Sequence, residues 1–338
     1  MLNIESFKEQ LSSWQRIVII PHQKPDADAL GSSLALWGFF NKKGYQAVVI
    51  SPTAYADFLS WLPGNPQVVV YSEQTEESCR YFIAQADLIF CLDFNDLKRC
   101  APLDVFVNEN PKALKVLIDH HQDKKDFADL EYCRVTAAAT AELVYEFIHL
   151  IGSDQDIDCD IATCIYAGIM TDTGSFKYAS VTPHIHRIVA NLLEKGINHT
   201  VIHRNIYDNS TLDRLRLKGF ALSERLKVIP ELSTAYFVLT KQDLNRFNHQ
   251  IGDTEGLVNY GLSIKGIKLA VILKEDDGFV KMSLRSVGDF SVNDLARNHF
   301  NGGGHINAAG GRLEMSIEEA EKTFLHVITH YADRLATS

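Results

Sequence analysis

Short apolar runs that each end in polar residues are the feature that most limits how this chain can fold. The first part of the chain contains four of them, at residues 17–20, 47–50, 87–94 and 115–121, separated by longer amphipathic stretches such as Leu30–Asn41. This alternation of strand and helix signals is typical of parallel strands connected by helices. We therefore predict an α/β protein whose N-terminal part is a doubly wound parallel sheet, with ligands binding beyond the carboxyl ends of the strands.

From about Leu232 the pattern changes to that of a second, smaller α/β domain. STAYFVLT predicts a strand, and KLAVILKEDDGFVKMSLRS predicts a hairpin that turns at Asp276–Gly278. Two helical segments follow, around a glycine-rich loop, NGGGH. Ser210 and Asp213 resemble a capping box at the start of a charged helix, which we interpret as the connector. The predicted domains are 1–205 and 229–338, joined by a linker helix over 206–228.

Composition narrows the class of protein. A chain of 338 residues with 46% hydrophobic residues is long enough for two globular domains. No apolar run approaches the ~18 residues of a membrane span, and the N-terminus has no signal-peptide pattern, so we expect a cytoplasmic protein. The net charge of -10 argues against binding of long duplex nucleic acid, which usually requires a basic surface. A short substrate held by metal ions and a few arginines remains compatible with this charge.

The cysteines carry no predicted chemistry. All six are scattered along the chain without a C-x-x-C pair, so the sequence indicates neither a zinc ribbon nor a disulfide framework. Cys91 lies in the apolar run LIFC, and we interpret it as a small buried hydrophobic residue.

Acidic and imidazole side chains follow three of the predicted strands. They are His22, Asp26 and Asp28 after the first strand, Asp93 after the third, Asp119, His120 and His121 after the fourth, and Asp172 after a later apolar helix. Gathered at one edge of a sheet, such groups would repel one another, and a pair of divalent cations would relieve that repulsion. Aspartate and histidine without cysteine suit Mn(II), or Co(II) or Mg(II), better than structural zinc. Two metals about 3.5–4 Å apart could share a hydroxide and stabilise an in-line attack on phosphorus.

Each of these residues also has an interpretation without a metal. A single aspartate after a strand is more often a helix N-cap than a ligand, and Asp28 fits that description. A histidine of IDHH could be a core residue with ordinary hydrogen bonds. Only a structural role without a metal is predicted for Asp96, His149, His184 and His186. The joint set nevertheless predicts a metal site, because chance would not align all of its members at the same edge of a sheet.

The segments PHQKPDADALGSS, CLDFND, IDHH and TDTGSF resemble the motifs of the DHH phosphoesterase superfamily, which is named after its Asp-His-His triplet. MSLRS and NGGGHINAAGG resemble the DHH-associated substrate-binding domain, and DTEGLVN fits the same branch. The resemblance covers nearly the whole chain. Its compact length and glycine–histidine loop point to the nanoRNase and pAp-phosphatase branch. RecJ-type exonucleases are typically longer, and family II inorganic pyrophosphatases have a C-terminal domain without GGGH.

The resemblance implies a role for each residue of the predicted metal site. The first metal would be held by His22, Asp26 and Asp93. The second would be held by Asp28, Asp93, His120 and Asp172, so that Asp93 bridges the two. His121 would stabilise charge beside the phosphate or act as an acid, and Asp119 would orient the histidines.

In the second domain, the resemblance implies that the substrate is bound by Arg285, Gly302, Gly303, Gly304 and His305. The chemistry of these residues agrees, because a glycine backbone lets N–H groups approach an anion and arginine offers a planar fork for phosphate. For the glycine loop taken alone, a plain turn is an equally good interpretation.

The implied activity is hydrolysis of short oligonucleotides, dinucleotides or 3′-phosphoadenosine 5′-phosphate (pAp) with two divalent metal ions. Related alternatives are a cyclic-di-AMP or pApA phosphodiesterase and a RecJ-like single-strand exonuclease. An alternative from another class is a nucleotide-binding protein without activity. The resemblance is compatible with a homodimer, but no interface can be read from the sequence, and we expect neither a long duplex nor a membrane as a partner.

Overall fold

The structure of the protein is a computed structural model, which describes residues 3–336. Contacts within the chain divide it into two compact units, one ending at Asn209 and the other beginning at Ser210. Among the described residues, none of the helices is both long and apolar enough to cross a membrane.

The first unit is built on a six-stranded parallel sheet. Its strands are β1 (Arg16–Pro21), β2 (Gln46–Ser51), β3 (Val69–Val70), β4 (Leu88–Leu92), β5 (Leu114–Asp119) and β6 (Leu130–Cys133). The spatial order is β3-β2-β1-β4-β5-β6, and every neighbouring pair is parallel. This confirms the predicted doubly wound sheet. The connections lead away in opposite directions from β1 and β4, which is where such sheets open a cleft for ligands.

Helices cover both faces of this sheet. They are α1 (Ile4–Gln10), α2 (Ala27–Lys42), α3 (Glu76–Gln85), α4 (Leu103–Glu109), α5 (Thr140–Ile151), α6 (Cys159–Asp172), α7 (Pro183–Glu194) and α8 (His199–Tyr207). In β1, Ile17 and Ile19 belong to one hydrophobic cluster, whereas Val18 and Ile20 belong to the cluster on the opposite face. A strand that is buried on both faces must be apolar at every position, which is why the sequence shows an unbroken run there.

Two glycines let α2, α5 and α6 approach one another closely. A Cβ atom at Gly31 of α2 would lie 2.5 Å from the carbonyl oxygen of Cys164 in α6. A Cβ atom at Gly168 of α6 would lie 2.7 Å from both the Ala141 Cβ and the Asp28 Oδ1. Side chains at these positions would therefore push the helices apart, and the helices carry several of the predicted site residues.

The second unit contains a mixed six-stranded sheet in the order β11-β12-β10-β9-β8-β7, in which only β8 and β9 pair in parallel. Its strands are β7 (Leu226–Ile229), β8 (Thr234–Leu239), β9 (Leu269–Asp276), β10 (Phe279–Ser286), β11 (Gly303–His305) and β12 (Ala308–Leu313). Its helices are α9 (Leu212–Phe220), α10 (Lys241–Arg246), α11 (Leu257–Leu262), α12 (Val292–His299), α13 (Ile317–Thr329) and α14 (Ala332–Ala336).

Several local features differ from what the sequence pattern predicts. Residues 206–228 do not form one helix, because α9 is followed by a π-helical turn and then by β7, which pairs within the second sheet. The N-cap of α9 is Thr211, whose side chain accepts the N–H of Arg214, so the predicted capping role of Ser210 is wrong. Part of the predicted glycine loop forms β11. The domain limits 1–205 and 229–338 stay a prediction.

All six cysteines are unbonded thiols. Cys91 is fully buried in β4, as predicted. Burial raises the pKa of its thiol to about 12, so it behaves as a small hydrophobic residue at neutral pH.

We expect Gly31→Ala to destabilise the first unit by about 1–3 kcal/mol, because the added methyl group overpacks the contact between α2 and α6. The measurement is the free energy of unfolding in urea. Gly219→Ala is the matched control, since Gly219 lies in α9 and a methyl group there would meet no atom of another element within 4 Å. That control should stabilise the chain slightly, by the helix propensity of alanine over glycine. Equal effects of the two substitutions would contradict the packing argument.

Candidate metal centre

The loop between β1 and α2 brings three of the predicted residues together. His22 is nearly buried directly after β1, and its Nδ1 donates to the backbone carbonyl of Gln23 at 2.7 Å. Asp26 is the N-cap of α2, and its Oδ1 accepts the N–H groups of Asp28 and Ala29 at 3.0 Å. Asp28 itself lies inside the first turn and is buried, so the interpretation of Asp28 as a plain N-cap is wrong.

Asp93 follows β4 and lies at the centre of the group. Its backbone has φ of 65°, in the left-handed region that side chains other than Asn and Asp rarely adopt. The nearly buried carboxylate approaches two histidines, with Oδ2 3.4 Å from His22 Nε2 and Oδ1 3.5 Å from His120 Nε2. Burial acts to raise the pKa of Asp93, but hydrogen bonding to His120 and His22 outweighs burial and holds that pKa well below its usual value.

The end of β5 supplies the Asp-His-His triplet. His120 Nδ1 donates to the carbonyl of Ala137 at 3.1 Å, and its Nε2 lies 3.3 Å from Asp172 Oδ2 and 3.9 Å from Asp28 Oδ2. His121 Nδ1 donates to Asp119 Oδ1 at 2.7 Å. Burial lowers the pKa of His121 despite that carboxylate. Asp119 therefore fixes the orientation and the Nδ1–H tautomer of the ring next to the central carboxylate.

Three groups of donor atoms share Asp93, and within each group the donor atoms lie within 4.8 Å of one another. Two of them consist of predicted ligands, with His22, Asp26 and Asp93 in one and Asp28, Asp93 and His120 in the other. In the third, Asp119 and His121 accompany Asp93. Asp172 adjoins the second group through its contact with His120. The structure thus brings together all six predicted ligands, although their role as ligands stays a prediction.

The chemistry of these donors fits a pair of divalent cations. His22 and His120 each use Nδ1 on a backbone carbonyl and direct Nε2 toward carboxylates, which is the usual arrangement of a metal-binding imidazole. Burial raises the pKa of Asp28 well above its usual value, and the carboxylates of Asp93 and Asp172 raise it further. Cations would remove this mutual repulsion and allow the buried carboxylates to be ionised together.

The first turn of α5 also belongs to the site, although no motif in the sequence indicates it. The backbone N–H groups of Thr140 and Ala141 donate to the two oxygens of Asp28, at 2.7 and 2.9 Å. The Thr140 hydroxyl donates to Asp93 Oδ1 at 2.8 Å. The segment AAATAEL predicts the start of an amphipathic helix. Nothing in it indicates contact with Asp28 and Asp93, which are distant in the sequence.

Asp96, His149 and His184, for which no metal-binding role is predicted, have ordinary structural contacts. Asp96 accepts the N–H of Lys98 at the start of a short 3₁₀ helix. His149 bonds to the carbonyl of Tyr145, and His184 bonds to Glu146. These contacts agree with the interpretation of the three residues as structural.

The predicted substrate-binding residues lie in the sheet of the second unit, except for Gly302, which directly precedes β11. Arg285 of β10 pairs with Ala308 of β12, which in turn pairs with His305 of β11. Directly paired residues point to the same face of a sheet, so the register places Arg285 and His305 on one face, on either side of a small alanine. The arrangement places a cation and an imidazole on the same face, and their role in substrate binding stays a prediction.

The glycines next to His305 are required because the backbone there passes very close to neighbouring chain segments. A Cβ atom at Gly302 would lie 1.9 Å from the carbonyl oxygen of Gly310, which excludes any side chain there. Gly304 has φ of 156°, and its N–H donates to the buried Asn293 side chain at 2.8 Å. The glycine segment is therefore a fixed strand end rather than a plain turn.

Comparison with known protein families matches residues 16–169 to the DHH family, N-terminal domain, and residues 235–333 to the DHHA1 domain. The chain is 29% identical to the bifunctional oligoribonuclease and PAP phosphatase NrnA of Thermus thermophilus, over 92% of this chain and 89% of that protein. It is 26% identical to a probable NrnA of Streptococcus mutans, over 96% and 97% of the two chains.

A solved structure, described as an exopolyphosphatase-related protein from Bacteroides fragilis, matches the fold with a TM-score of 0.93. The two chains are 40% identical, and the match covers 99% of this chain and 97% of the other. Identity at this level over the full length, together with the two domain matches, establishes the relationship. The chain belongs to the DHH family of phosphoesterases, with a DHHA1 domain as its C-terminal part.

Proposed function

We propose that this protein is a two-metal phosphoesterase that hydrolyses short oligonucleotides, dinucleotides and pAp. The observation that carries the proposal is the pair of donor groups that share the Asp93 carboxylate. Relatives named as oligoribonucleases and PAP phosphatases, which align with this chain over most of its length, support the choice of substrate. The net charge of -10 also favours a short substrate over a long polyanion.

In this proposal His22, Asp26 and Asp93 hold one cation, and the second is held by Asp28, Asp93, His120 and Asp172. We expect Mn(II), with Co(II) or Mg(II) as alternatives, because the donors are carboxylates and imidazoles without thiolate. Two cations at such a site would supply an activated water and would stabilise the negative charge on the phosphoryl oxygens.

The protein's own groups would orient the substrate and move the proton. His121 is held by Asp119 through Nδ1, so Nε2 is the nitrogen with which it would act on a phosphate oxygen or a leaving group. Arg285 would bind a second phosphate or the 5′-phosphate through its planar fork. His305 and the N–H groups of the glycine segment would complete that contact.

A second candidate substrate is linear polyphosphate, because the solved structure that is 40% identical to this chain is described as exopolyphosphatase-related. Polyphosphate offers a phosphoanhydride centre that two cations would stabilise in the same way, but it has no base or sugar. The two substrates are therefore distinguished directly by measured turnover.

The first test is product analysis with purified protein and Mn(II) on pApA, a 5-mer RNA, a 24-mer RNA, pAp, pyrophosphate and polyphosphate. We expect fast release of mononucleotides from pApA and the 5-mer and of phosphate from pAp, with slow turnover of the 24-mer. Preference for the 24-mer would indicate a processive exonuclease. Turnover of polyphosphate alone would replace the nucleotide proposal by the second candidate.

Asp93→Ala should reduce the turnover of pApA to less than about a tenth of the wild-type rate, because it removes the carboxylate shared by both donor groups. Asp126→Ala is the matched control, since Asp126 is an exposed aspartate outside the donor groups. The rates should be measured at saturating Mn(II) with folding checked by circular dichroism. A folded Asp93→Ala protein with more than a tenth of the activity would contradict the bridging role.

Arg285→Ala should raise the KM for pAp about tenfold or more, since a charge-assisted hydrogen bond to phosphate contributes ~1.5–3 kcal/mol. Arg285→Lys should restore little, because an ammonium group cannot reproduce the planar fork. Arg312→Ala is the control, as Arg312 lies in the neighbouring strand β12 and stacks on the Phe279 ring. An unchanged KM in Arg285→Ala would remove Arg285 from the proposed substrate site.

A further inference from the structure

The N-terminus of α5 is capped by a side chain from another helix. The N-cap position is Ala139, which has extended backbone and no side chain able to accept a hydrogen bond. The N–H groups of Thr140 and Ala141 instead donate to the two oxygens of Asp28, a residue of α2. Helix N–H groups carry partial positive charge, so this contact stabilises the Asp28 carboxylate and fixes its plane.

The side chain of Thr140 contacts the other central carboxylate. Thr140 is fully buried, and its hydroxyl donates to Asp93 Oδ1 at 2.8 Å. An ionised carboxylate only accepts hydrogen bonds, so the direction of this bond is determined. The same Oδ1 faces His120 at 3.5 Å, whereas Oδ2 faces His22 at 3.4 Å. The hydroxyl thereby fixes the orientation of the Asp93 carboxylate. In that orientation one oxygen points toward each donor group.

One residue therefore constrains two carboxylates by different means. Its backbone N–H fixes Asp28, and its hydroxyl fixes Asp93. Alanine at position 140 would keep the first contact and lose the second, and valine would do so with almost no change in shape. Neither contact requires a metal ion.

We propose that Thr140 is a positioning residue that pre-arranges the Asp93 carboxylate for binding of two cations at once. The inference rests on the proposed two-metal function and adds to it the group that sets the bridging geometry. A carboxylate free to rotate would still bind one cation well. Binding of the second cation next to the first depends on both oxygens being correctly directed, so this is the step that Thr140 supports.

The experiment compares Mn(II) binding to the full chain and to the variants Thr140→Val and Thr140→Ser. Calorimetry gives the stoichiometry and both dissociation constants, and electron paramagnetic resonance reports spin coupling between neighbouring Mn(II) ions. We expect Thr140→Val to bind the second Mn(II) about tenfold more weakly and to lose the coupled signal at stoichiometric metal. Thr140→Ser keeps the hydroxyl and should stay within about twofold of wild type.

Thr234→Val is the matched control for the loss of a buried hydroxyl. Thr234 is fully buried in the second unit, and its hydroxyl donates to the carbonyl of Leu232, so its Mn(II) binding should equal that of wild type. Should Thr140→Val fail to fold, the pair Thr140→Ser and Thr140→Ala differs by a single oxygen atom and tests the same contact.

The outcomes separate the inference from the function on which it rests. Two coupled Mn(II) ions in the wild type with unchanged binding and coupling in Thr140→Val would overturn the role of Thr140 alone. Absence of a second Mn(II) in the wild type would overturn the two-metal function itself. A uniform loss of both sites in all Thr140 variants, including serine, would show a purely structural role and also overturn the inference.

Discussion

The contacts of the buried Asp93 carboxylate are the interactions on which the arrangement of the first unit depends. A charge that has been removed from water is costly unless hydrogen bonds and opposite charges surround it. Asp93 obtains them from the loop after β1, the end of β5 and the first turn of α5. Three separate parts of the sequence must therefore be in their native places before this one group is satisfied, which couples the local geometry of the site to the completion of the fold.

Close packing of α2 against α6 positions the remaining carboxylates of the site. Gly31 and Gly168 let α2 and α6 approach until Asp28 in α2 and Asp172 at the end of α6 lie around one histidine. Like charges at this distance repel, and the helix N-terminus of α5 offsets part of that repulsion at Asp28. Close helix packing thus brings the carboxylates together, and the N–H groups at the start of α5 reduce the cost of their repulsion. A site for small, highly charged cations requires both.

Local patterns in the sequence were sufficient for the four central strands of the first sheet and for most of the site, but not for the edge strands β3 and β6. The apolar runs predicted β1, β2, β4 and β5, and the parallel arrangement placed His22, Asp93 and His120 at a common edge. The contribution of Thr140 could not be predicted, because its partners Asp28 and Asp93 are distant in sequence and a threonine at a helix start indicates an N-cap rather than a contact with remote carboxylates. The cap at Thr211 rather than Ser210 was missed for another reason, since both residues can cap and tertiary packing selects between them.

The left-handed backbone at Asp93 has a consequence for how such proteins can change in evolution. The conformation is accessible to Asp, Asn and Gly, whereas a bridging anionic ligand requires Asp or Glu. Aspartate is the residue that satisfies both demands, so the chemistry and the folding of the strand end restrict this position independently. Replacement by asparagine would meet only the backbone demand. A related protein that binds nucleotides without catalysis could therefore carry asparagine at this position and keep the same fold. An asparagine here would thus indicate a protein that shares this fold but has lost the activity.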